Sequence, residues 1–61
     1  MIIWTMKRRN GDTALVRSIG SKWAADVTTH TGHNDNANWP EIYETPMECR
    51  EALEKWGFKL L

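Results

Sequence analysis

Thr45-Pro46-Met47-Glu48-Cys49-Arg50-Glu51-Ala52-Leu53-Glu54-Lys55-Trp56-Gly57-Phe58 is a helix whose two ends are specified by its own residues. The Thr45 hydroxyl can accept from the backbone N–H of Glu48, and the Glu48 carboxylate can reach back to the N–H of Thr45. Pro46 stands at the first helical position, where its missing donor costs nothing. The helix therefore starts at residue 45 or 46. Gly57 can take the left-handed conformation just past the last turn and fold Phe58 back onto its apolar side, so the helix ends near Trp56. Cys49, Ala52, Leu53 and Trp56 follow the i, i+3, i+4, i+7 spacing of a buried stripe, which turns Trp56 inward, and Glu48, Glu51, Glu54 and Lys55 fall elsewhere on the cylinder.

A helix with one apolar stripe needs a surface to cover, and the upstream sequence supplies a sheet. Ile2 to Arg9 and Thr13 to Ile19 are rich in strand formers, and Asn10-Gly11 between them signals a two-residue hairpin loop. That loop pairs Arg9 with Asp12, Met6 with Leu15, Trp4 with Arg17 and Ile2 with Ile19. One face then carries Ile2, Trp4, Met6, Leu15 and Ile19. The Arg17 guanidinium would lie on the Trp4 indole. Lys22 to His30 alternates as a third strand, and a tight Gly20-Ser21 loop places Trp23, Ala25 and Val27 on the face of Ala14, Val16 and Ser18. The two registers conflict. Either a bulge near Gly20 flips one of them, or the sheet is apolar on both faces and the helix covers only one. The second arrangement leaves a patch around Trp4 free to meet another protein or, as a homodimer through the hairpin face, a second copy.

Thr31 to Asn38 is a polar loop in which mobility is expected. Trp39-Pro40 leads to Ile42-Tyr43-Glu44, a short strand or extended lead-in. Lys59-Leu60-Leu61 is expected to return as a last short strand beside the sheet. The expected fold is α+β: an antiparallel sheet of three or four strands, beginning as an N-terminal meander, packed against one C-terminal helix in a single domain spanning residues 1–61.

A domain of 61 residues buries only about 60% of the surface its unfolded chain exposes, so an active-site cleft is expensive. No nucleophile, base and oxyanion donor come together in the sequence, and an enzyme is not expected. Cys49 is the single cysteine, which excludes an internal disulfide, and its helical position reads as a buried thiol. His30, His33 and Asp35, with Cys49 as a fourth group, are the one cluster of metal-ligating residue types. They lie in a loop whose composition turn formation already explains, so neither a metal nor another cofactor is expected. Met1-Ile2-Ile3-Trp4 is too short for a signal core or a membrane span and is followed by Lys7-Arg8-Arg9, which makes a cytoplasmic protein the expectation.

The formal net charge is zero, but residues 1–22 sum to plus four and residues 23–61 to minus four. A basic end and an acidic end can orient a charged partner. Lys7, Arg8, Arg9, Arg17 and Lys22 are the candidate phosphate contacts of a β-ribbon DNA reader. Three strands followed by a helix, with Ile42-Tyr43-Glu44-Thr45-Pro46-Met47-Glu48-Cys49-Arg50-Glu51-Ala52 at the join, resemble the arm-type DNA-binding domains of phage integrases. The resemblance implies a sheet seated in the groove and a helix behind it.

A second resemblance points elsewhere. Trp23-Ala24-Ala25-Asp26-Val27, Ile42-Tyr43-Glu44-Thr45, the helix to Trp56 and Gly57-Phe58-Lys59-Leu60 are similar to the small phage-encoded inhibitors of bacterial RNA polymerase. It covers about 35 residues and implies a phage or prophage-type protein that binds and inhibits a host or defence complex, polymerase-directed or anti-CRISPR-like, in the bacterial cytoplasm. Tryptophan and arginine dominate interface hot spots. Trp4, Arg17 and Trp39 are the candidate anchors on that reading. The helix carboxylates Glu48, Glu51 and Glu54 are the acidic alternative, mimicking phosphates, although solvation of an ordinary helix face also accounts for them.

Overall fold

The structure is a computed structural model that describes residues 1–39 and 42–61. Its elements are β1 (Ile2–Lys7), β2 (Thr13–Ile19), β3 (Lys22–Thr28), a 3-10 turn (Asn36–Asn38), α1 (Pro46–Lys55) and β4 (Lys59–Leu60). The strands form one antiparallel sheet in the order β3-β2-β1-β4, and the helix packs on β2 and β3. This is the α+β architecture expected from the sequence, with the C-terminal residues returning as the fourth strand.

The helix ends where its residues place them. Thr45 is extended, and its hydroxyl accepts from the Glu48 N–H at 3.2 Å, with Pro46 at the first helical position. At the other end the Gly57 N–H donates to the Glu54 carbonyl at 3.1 Å and the Phe58 N–H to the Leu53 carbonyl at 3.2 Å. Gly57 has φ +93°. This is a Schellman closure, and it drives Phe58 into contact with the same core as Leu53.

The first hairpin departs from the expected register. Asn10 does not adopt a positive φ, so the two-residue loop that needs it at both positions cannot form. The chain instead makes a three-residue loop, Arg9-Asn10-Gly11, with Gly11 alone in the left-handed region at φ +100°. The Gly11 N–H donates to the Arg8 carbonyl and the Arg8 N–H to the Asp12 carbonyl, each at 2.9 Å. One extra loop residue moves every pairing by one. Met6 therefore sits opposite Ala14, Trp4 opposite Val16 and Thr5 opposite Leu15.

That shift removes the conflict between the two hairpins. The Gly20-Ser21 loop has two residues as expected, pairing Ala14 with Val27, Val16 with Ala25 and Ser18 with Trp23. Trp4, Met6, Ala14, Val16, Trp23, Ala25 and Val27 consequently share the face under the helix. The bulge lies near the start of β1, between Ile2 and Trp4, and not near Gly20. Ile3 and Trp4, neighbours in sequence, both pack against the core there. The opposite face holds Thr5, Lys7, Thr13, Leu15, Arg17 and Asp26. It lacks the tryptophan-centred apolar patch that the alternative of a sheet apolar on both faces, open to a second copy, would have left exposed. Met6, Val16, Val27, Cys49, Leu53 and Phe58 fill the core, all essentially inaccessible.

Candidate functional site

Asp12 organises one end of the molecule. Its side chain is buried, yet both carboxylate oxygens are satisfied. Oδ1 accepts from the His30 N–H at 2.7 Å and lies 3.0 Å from His30 Nδ1. Oδ2 accepts from Arg8 Nε at 2.8 Å and from Asn10 Nδ2 at 3.1 Å. The hydrogen bond with the His30 ring, then the Arg8 guanidinium, then the His30 N–H hold the Asp12 carboxyl far below the usual carboxylate range, outweighing the desolvation that pushes the other way. His30 is thus an Asp12 partner. Among the described residues no three His, Cys, Asp or Glu side chains converge as a metal site requires.

The loop after β3 is tied to the sheet. The Val27 N–H donates to Asn36 Oδ1 and the Asp35 N–H to the Val27 carbonyl, while Trp23 and Tyr43 exchange both backbone hydrogen bonds. Asn36 Nδ2 also donates to Asp26 at 2.9 Å. The expected mobile segment therefore caps the outer edge of β3, which would otherwise present open donors and acceptors.

The four tryptophans divide differently from the helical periodicity. Trp4 and Trp39, the expected surface anchors, are half-buried and pack against the core. The cation over Trp4 is Arg50 from the helix, 5.0 Å from the ring centroid. Arg17, expected there, lies instead 3.7 Å from Asp26. Trp23 packs inward as expected. Trp56 does not: it is 66% exposed, because it is the C-cap residue, at φ −100° and ψ 15°, and the i+7 projection of the helix does not extend to it. Its ring is held edge-on against Trp39, centroids 6.2 Å apart, and Trp39 in turn meets Phe58 edge-on at 6.0 Å.

Beside the Trp56 backbone, whose carbonyl accepts from Arg8, lies a cleft of about 650 Å³ lined by Lys7, Arg8, Arg9, Gly57, Lys59, Leu60 and Leu61. Arg8 is held in it by three contacts. Its guanidinium binds Asp12, lies over the Phe58 ring at 4.7 Å and donates to the Trp56 carbonyl at 3.3 Å. The cleft thus joins the β1–β2 turn to the strand that follows the helix.

Comparison of the chain with models of known protein families, with curated proteins and with solved structures found no match. Of the five candidate phosphate contacts, Lys7, Arg8 and Arg9 come together in the cleft, whereas Lys22 is paired with Glu44 and Arg17 with Asp26. Of the helix carboxylates, Glu48, Glu51 and Glu54 are exposed, and Glu54 lies 3.5 Å from Arg50 Nε. Reading the sequence missed Lys59 and Trp56. The signal for Trp56 was the Gly57 stop immediately after it, which takes the preceding residue out of the helical stripe. The described residues contain no helix long and apolar enough to cross a membrane.

Proposed function

We propose that this chain is a non-catalytic binding protein of the phage or prophage inhibitor kind, which acts by covering a surface of a host or defence protein complex. The observation that carries the reading is Trp56: a large aromatic side chain, mostly exposed, yet held edge-on by Trp39, on a residue whose backbone carbonyl accepts from Arg8 of the cleft. An exposed tryptophan held edge-on by a second aromatic ring, with Arg8 bonded to its backbone carbonyl, brings together two of the residue types that dominate interface hot spots. Holding it in place before binding reduces the ordering cost of association. Trp4 and Trp39 then serve the fold and the placement of Trp56. Glu48 and Glu51 remain available as an acidic contact on a separate face.

The experiment is capture of partners from a nuclease-treated bacterial lysate, comparing the wild-type chain with Trp56→Ala. A stoichiometric protein partner lost in the variant supports the reading, and its identity names the complex. Retention of the same partner by Trp56→Ala would sink it.

A nucleic-acid module is the second reading, favoured by Lys7, Arg8, Arg9 and Lys59 lining one cleft. Its mark is salt dependence. With Arg17 and Lys22 engaged by carboxylates and Arg8 by Asp12, about three cations remain for phosphates, and the logarithm of affinity would fall with a slope of roughly −3 against the logarithm of salt. Binding that tolerates salt speaks for the protein partner.

A further inference from the structure

Lys7 and Lys59 are cross-strand partners at the β1–β4 edge of the sheet, both exposed. Like charges placed directly opposite on neighbouring strands repel each other and weaken the pairing. Among the described residues neither ammonium group is within salt-bridge distance of a carboxylate, and Arg9, in the same cleft, has no such partner either. Four other cations are paired, Arg8 with Asp12, Arg17 with Asp26, Lys22 with Glu44 and Arg50 with Glu54, and Lys55 on the helix has no such pair among the described residues. Three of the four Lys and Arg side chains without an ion pair among the described residues lie in this cleft.

We propose that this cleft receives an acidic, extended segment of a partner protein, laid beside β4 with its carboxylates on Lys7, Lys59 and Arg9. The proposal rests on the protein-binding reading above and names the chemistry of the surface bound. Three features favour a polypeptide over a polynucleotide. Leu60 and Leu61 are exposed in the cleft and offer aliphatic surface to side chains. β4 is an edge strand, so its outer backbone groups can pair with an incoming strand and supply main-chain affinity. Three unpaired cations are few for a phosphate backbone, since nucleic-acid binders commonly make about 6–10 such contacts. They suit the alternate carboxylates of one short strand, which lie on a single side.

The test is a heteronuclear NMR titration of the whole chain with three probes: a short peptide alternating Glu and Val, the same peptide with Lys for Glu, and a short oligothymidylate. The expected result is shifts at Lys7, Arg9, Lys59 and Leu60 with the acidic peptide alone, weakened at least about tenfold in Lys59→Glu. That substitution places opposite charges across from each other, so it should raise the thermal midpoint while it removes binding, and a folding defect cannot imitate the result. Absence of shifts with the acidic peptide, shifts that persist in Lys59→Glu, or tighter binding of the oligothymidylate would each overturn the proposal. Trp56→Ala with the lysate tests the protein-binding reading separately, so failure of one is distinguishable from failure of the other.

Discussion

Asp12 and His30 lie eighteen residues apart in sequence and are joined twice in space, through the His30 N–H at 2.7 Å and the imidazole Nδ1 at 3.0 Å from one carboxylate oxygen. The pair fastens the β1–β2 turn to the end of β3. With Arg8 on the other oxygen, it also holds one of the residues that line the cationic cleft.

This relationship makes the fold lose stability in acid. The Asp12 carboxyl titrates well below its unfolded value, so the folded state binds fewer protons there than the unfolded chain does. Its contribution is fully present above a pH of about 4 and declines as pH falls through that value toward the depressed folded one. Urea unfolding followed between neutral pH and strong acid should show this decline in the wild type and a shallower one in Asp12→Asn, which should be less stable at neutral pH. Parallel profiles for the two proteins would contradict it.

Gly11 is the next test of the same corner. At φ +100° a side chain is strained, and a Cβ built there stands 3.1 Å from the His30 Cβ. Gly11→Ala should cost about 1–3 kcal/mol. Asn10→Ala should cost less, since Asn10 needs no positive φ and contributes side-chain hydrogen bonds to Asp12. Thermal melts of the two variants rank them.

Leu53 carries more of the core than any exposed helix residue. It is inaccessible and packs with Phe58, Cys49 and the sheet. Leu53→Ala should lose about 3 kcal/mol, whereas Glu51→Ala should stay within about 0.5 kcal/mol. A domain of this size has on the order of 5 kcal/mol in total. Circular dichroism should therefore find Leu53→Ala partly unfolded near body temperature and Glu51→Ala intact.

Cys49 should behave as a core residue and not as a nucleophile. Burial pushes its thiol up to about 11, so the thiolate is scarce at neutral pH. A disulfide reagent at mildly alkaline pH should label it at the rate of unfolding and should label it at once in denaturant. Because its folded value lies above the unfolded one, its linkage leaves stability unchanged below a pH of about 9 and lowers it as pH rises toward 11.

The helix and its two ends were determined by the sequence itself, because the Thr45 cap and the Gly57 closure act through bonds spanning three to five residues, and Pro46 fits a position that needs no donor. Local chemistry also set the three N-terminal strands and the tight Gly20-Ser21 loop. The register of the first hairpin was decided only by tertiary structure. Asn10-Gly11 is compatible with loops of two or three residues. The three-residue loop brings Trp4 and Met6 onto the face of Ala14 and Val16, and Asp12 into reach of Arg8 and His30. Trp56 and Lys59 follow the same rule: the exposure of the one and the like-charged neighbour of the other depend on where the chain returns after Gly57. Periodicity along a helix carries no information about that return, because the partners that fix it come from the far end of the sequence.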